Sequence, residues 1–118
     1  SDDELTEACA EIMGWEYIGD DLFLDATERG RDPLHDLTDA FAVFDAVVEK
    51  VKARTAELTY APWFSRGKPY EVIISIWDKY WGESSDQDHA IGYVLGADRC
   101  RAICECAVMA MAKFTKKV

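Results

Sequence analysis

A chain of 118 residues, about half of them apolar and 12% aromatic, has the length and apolar content to fold as one domain around a core, which excludes a disordered chain. Its formal charge is −10 and unevenly spread: residues 1–45 hold 14 acidic and 2 basic residues, residues 46–118 hold 9 and 11. That asymmetry concerns partners rather than fold, and it excludes direct nucleic-acid binding through the first third, since a phosphate backbone is bound by neutralising it.

No apolar run reaches the ~18 residues of a membrane span; the longest, Ala102–Ala112, is interrupted by Glu105. The acidic start (SDDELTEA) is unlike a secretory leader, so a cytoplasmic protein without membrane association is expected. Cys9, Cys100, Cys104 and Cys106 fall in helical patterns among apolar neighbours and read as reduced core thiols.

In chain order, a first helix is expected over about Asp3–Met13. Leu5, Cys9, Ile12 and Met13 form its apolar stripe, acids open it, and Gly14 sits where a left-handed cap closes it. Glu16–His35 reads as a connection of about 20 residues without regular structure, its TERGRDP segment being loop chemistry, the alternative being a short hairpin within it. A second helix follows from Asp36 or Thr38 to about Ala53, with Leu37, Phe41, Phe44, Val48 and Val51 at helical spacing and Ala40 and Val47 widening the stripe.

Three strands come next, expected at Ala56–Ala61, Tyr70–Trp77 and His89–Leu95, joined by the PWFSRGKP turn and a polar loop. In the middle one, Val72, Ile74 and Ile76 fall on one face and Ile73, Ser75 and Trp77 on the other. A strand apolar on both faces belongs at the centre of a sheet with both faces buried. Gly92 in the last strand marks a close approach of a helix. The last helix runs from an Asp98 cap to about Phe114 and is apolar around most of its circumference. The implied class is α+β: a three-stranded antiparallel sheet packed with helices as an α-β-α sandwich, in the order α-α-β-β-β-α.

Several landmarks along this order resemble the phage ABA (α-β-α) sandwich domain family. They are Met13-Gly14-Trp15, Leu37-Thr38-Asp39-Ala40-Phe41 with Val43 and Val47, the Tyr70–Ile76 strand, and Ala102-Ile103-Cys104 with Ala107. The Glu16–His35 stretch and the Trp63–Lys68 turn are longer or more elaborate than that family's pattern. The resemblance implies a fold and a phage or prophage origin, and it carries over no active site.

Motifs with chemistry are scarce. His35 and His89 each have an Asp neighbour, Asp36 and Asp88, but no metalloprotease, phosphate-loop or nucleophile-elbow pattern accompanies them. Cys100 and Cys104 lie one helical turn apart on an apolar face, without the further ligands a zinc site needs. An enzyme, a metal and a cofactor are therefore not expected. Two binding surfaces are. Glu7, Glu11, Glu16, Asp20, Asp21, Asp25 and Glu28 form a candidate anionic face for a basic host protein, the alternative being a solvated surface. Trp63, Phe64, Arg66 and Lys68 form a candidate small-ligand or nucleotide site, aromatic rings interleaved with bases; the alternative is that the rings fold back to cap the sandwich. A structural phage component or homo-oligomer is a weaker third reading.

Overall fold

The computed structural model describes residues 2–19, 22–63, 66–76 and 90–116. Helix α1 spans Asp2–Met13, strands β1 Glu16–Gly19, β2 Leu22–Leu24 and β3 Gly30–Arg31 follow, then helix α2 Leu37–Val51, strands β4 Thr55–Tyr60, β5 Tyr70–Ser75 and β6 Ala90–Gly96, and helix α3 Arg99–Lys116. The chain is α+β, with two three-stranded antiparallel sheets ordered β1-β2-β3 and β4-β5-β6.

β5 is the central strand of the larger sheet, as its two apolar faces require. It pairs with β4 from Thr55↔Ser75 to Tyr60↔Tyr70 and with β6 from Tyr70↔Gly96 to Ser75↔Ala90, with an irregularity at Ile74/Ser75. Val72 and Ile74 on one face are fully buried; on the other Ser75 is fully buried and Ile73 is buried but for 8% of its surface. Trp77, expected on that second face, lies outside the described residues.

α3 lies over β5 and β6 at a distance set by small residues. Ala102, Cys106 and Ala110, four residues apart on one helical face, stand over Gly96 and Gly92. A Cβ on Gly92 would come within 2.6 Å of the Cys106 carbonyl oxygen and 3.1 Å of the Ala110 Cβ. Close approach of a helix is thus the reason for this glycine. α3 is capped by Asp98, whose carboxylate accepts from the Arg101 amide at 2.9 Å.

α2 packs principally along α3 rather than on the sheet as a separate layer, and α1 contacts both helices. Asp36 caps α2 by accepting from the Asp39 amide, and Lys52 closes it in a left-handed conformation with φ of 55°. The stripe is centred on Ala40, Val43, Phe44 and Val47; Leu37, Phe41 and Val48 are only partly buried at its edges. Cys9, Cys104 and Cys106 are fully buried and all four cysteines are free. Contact with Cys9 and then burial raise the Cys104 thiol, and burial pushes Cys106 up to about 12.

The expectation for Glu16–His35 needs correcting. It is not an irregular connection but the second sheet, a meander pairing Glu16↔Leu24, Tyr17↔Phe23 and Phe23↔Arg31. Strands of four, three and two residues carry too little periodicity to be seen in sequence. They are held by one buried ring, Phe23, and by the polar network below.

Candidate functional site

The meander is organised by Asp25 and Arg31. One Asp25 oxygen accepts from the Thr27 amide at 2.8 Å, the Thr27 hydroxyl at 2.6 Å and the Arg29 amide at 2.9 Å, which shapes the turn between β2 and β3. The other accepts from Arg31 Nε at 2.9 Å and Nη2 at 2.7 Å. Arg31 Nη1 continues to Asp39 at 2.7 Å, and the second Asp39 oxygen accepts the Asp32 amide at 2.9 Å. The guanidinium also lies 5.9 Å from the Trp15 ring centroid.

This network ties the small sheet to the start of α2 and to the residue that closes α1. The Thr27 hydroxyl foremost, then the Arg29 amide and Arg31, holds the Asp25 carboxyl well below the usual carboxylate range. Asp39, then Asp25, raises Arg31 further.

The consequence for the predicted anionic face is direct. The Asp25 side chain is 12% exposed and ion-paired, so it shapes a turn and is not a free docking carboxylate. Glu7, Glu11, Glu16 and Glu28 are exposed, Glu28 on the β2–β3 turn with φ of 62°. Asp20 and Asp21 lie outside the described residues.

What the fold assembles is a more compact arrangement, a cleft of about 360 Å³ between the N-terminal half of α1, the β1–β2 pair and the 32–35 turn. Its acidic lining is Asp2, Asp3, Glu7 and Asp32, with His35 beside Asp32; its apolar lining is Tyr17, Phe23 and Leu34. Phe23 and Leu34 are buried at its base, and Tyr17, 56% exposed, leans on Phe23 with ring centroids 5.2 Å apart. Two of the acids are already engaged: Asp2 with Arg101, and Asp32 with His35 Nδ1 at 3.0 Å.

Of the predicted anionic face only Glu7 lines this cleft, and His35, weighed in sequence as a possible base or metal ligand, lines it too. Tyr17 and Asp32 were missed because the strand and turn that carry them were not recognised. A strong hint was present in Arg31, one of only 2 bases among 14 acids in residues 1–45, a composition that favours its being paired.

The second surface lies at the C-terminal end of β4. Trp63 is 82% exposed, so it does not fold back to cap the sandwich. Arg66 and Lys68 are exposed, and Phe64 lies outside the described residues. Tyr60, 59% exposed, packs on Tyr70 with centroids 5.2 Å apart, and these two rings with Leu58 and Arg99 line a shallow groove of about 390 Å³.

The chain matches no family model, no curated protein and no solved structure. Among the described residues no helix is long and apolar enough to cross a membrane, and no group of three or more His, Cys, Asp or Glu side chains could hold a metal ion. The chemistry available to the cleft is recognition of a cation with an apolar stem, an Arg or Lys side chain whose charge meets the carboxylates while its methylenes lie on Tyr17.

Proposed function

We propose that the protein acts by binding, as a phage or prophage accessory protein whose acidic cleft docks onto a basic surface of a host protein that handles nucleic acid or serves in defence. The observation that carries this is the cleft itself, in which four carboxylates surround an exposed Tyr17 on a buried apolar floor. Charge alone solubilises; charge around an exposed ring with apolar support is how an interface anchor is built. The phage setting comes from the resemblance of the helix and strand landmarks.

The test is affinity capture from nuclease-treated bacterial lysate, comparing the wild-type protein with Glu7→Lys/Asp32→Lys, which reverses two of the carboxylates that line the cleft. A basic protein retained by the wild type and lost by the variant supports docking. Identical capture by both, or capture that needs intact nucleic acid, contradicts it.

A second reading, a nucleotide or similar aromatic anion held at Trp63, Arg66 and Lys68, is favoured by one observation, the 82% exposure of Trp63 in a turn carrying two bases. A nucleotide screen by thermal shift, repeated on Trp63→Ala, decides it.

A further inference from the structure

In the larger sheet, ordered β4-β5-β6, β4 is an edge strand, and among the described residues β5 is the only strand paired with it. The Ala61 amide donates to the Pro69 carbonyl at 2.7 Å, which sets the alternation of the ladder. Counting back along the register from Tyr60↔Tyr70, Thr59 and Glu57 turn their N–H and C=O groups toward β5. Leu58 and Tyr60 turn theirs outward.

These same two residues line the groove of about 390 Å³ with Tyr70 and Arg99. They share the face of Ala56, which through Ile74 stands in register with Gly92 beneath α3. Because α3 lies over β5 and β6, the groove along β4 has a floor of Leu58, Tyr60 and Tyr70 and a wall at Arg99, with the strand edge as its open side. Arg99 is exposed and has no carboxylate partner among the described residues. Outward backbone groups, apolar side chains beside them and an unpaired guanidinium are complementary to a strand whose alternate side chains are apolar and acidic.

We propose that the edge of β4 takes an extended segment of a partner protein as a fourth, antiparallel strand. Apolar side chains of its alternate residues lie on Leu58 and Tyr60, and a carboxylate on the same face reaches Arg99. This site is separate from the acidic cleft and takes the opposite charge. A second copy of the chain is the poorer occupant. Its own β4 would present Ala56, Leu58 and Tyr60 to the groove, none of them acidic, and each copy carries a net charge of −10.

The probe is a short peptide, blocked at both ends, in which Val, Tyr and Asp alternate with Thr. Amide hydrogen exchange of the full chain is followed by NMR with and without it. The Leu58 and Tyr60 amides should exchange roughly tenfold or more slowly with peptide bound, while Glu57 and Thr59, already bonded to β5, should change little. Methylating the backbone nitrogens of the peptide's Val and Tyr should abolish binding, because those N–H groups face β4. Methylating its Thr nitrogens should weaken binding far less.

Arg99→Glu places an acid at the start of α3, where the helix dipole favours it, so the variant should stay folded. It should bind the peptide roughly tenfold more weakly, and exchanging the peptide's Asp for Lys should restore binding to it. No slowing at Leu58 and Tyr60 at millimolar peptide, equal sensitivity to both methylation patterns, or wild-type binding by Arg99→Glu would overturn the proposal. So would a dimer seen by sedimentation whose Leu58 and Tyr60 amides are protected without peptide, because the occupant would then be a second copy.

Discussion

Gly92→Ala puts the seating of α3 on the sheet to a quantitative test. The added Cβ would lie 2.6 Å from the Cys106 carbonyl oxygen, 3.0 Å from its sulfur and 3.1 Å from the Ala110 Cβ, while ordinary contact begins near 3.4 Å. The helix must therefore retreat by about 0.8 Å against its own backbone, and α2 and α1 packed against it resist that movement. Overpacking of this kind costs about 1–3 kcal/mol. A stiffer unfolded chain returns about 0.4–1 kcal/mol of it.

The net loss is on the order of 1–2 kcal/mol, or roughly 3–10 °C in melting temperature for a domain of this size. It would be read by urea unfolding with the slope checked for constancy. Trimming Cys106 to Ala should not rescue the variant, since the nearest atom is backbone. Gly14→Ala is the contrast: nothing lies within 4 Å of the new Cβ, and its cost comes from φ of +73° alone. A neutral or stabilising Gly92→Ala would refute close packing of α3 on β6.

Other outcomes follow from the same structure. Ile74→Ala, fully buried on the central strand, should cost about 2–5 kcal/mol in denaturant unfolding. Trp63→Ala should leave the melting temperature of the free protein nearly unchanged, within about 0.5 kcal/mol, because the ring is 82% exposed; a loss of several degrees would show that it caps the core after all. The Asp25 carboxyl titrates lower in the folded protein than in the unfolded chain, so its contribution is fully present above the unfolded value near 4 and is lost as pH falls below it through the folded value. Asp25→Asn should accordingly be less stable at neutral pH and show a flatter acid limb in melts between pH 7 and 2. Cys104 and Cys106, buried with raised thiol pKa values, should resist alkylation in the native protein at pH 8 and react once it is unfolded.

The parts of the fold legible in the sequence are those whose burial repeats along the chain. Helix periodicity and the Asp36 and Asp98 caps located α2 and α3, the two apolar faces placed β5 at the centre, and Gly92 announced the helix above it. The small sheet was not legible. Its order comes from one ring, Phe23, and from Asp25 and Arg31 reaching across the turn to Asp39, residues whose partnership has no period. The candidate site shared that fate: Glu7 could be named from its exposed place on a helix, but Tyr17 and Asp32 join it only because the meander carries them there. Trp63 was ambiguous for another reason, since an aromatic residue in a turn caps a core or faces water according to where the loop lies, and sequence does not encode that locally.

Docking of the acidic cleft onto a basic protein is read from the association rate of the purified protein with a basic protein recovered in the capture experiment, measured from low to high ionic strength. A rate that falls steeply with salt for the wild type, and is slower by roughly tenfold or more in Glu7→Lys/Asp32→Lys at low salt, is the predicted result. Equal rates for the two proteins, or a wild-type rate indifferent to ionic strength, would contradict it.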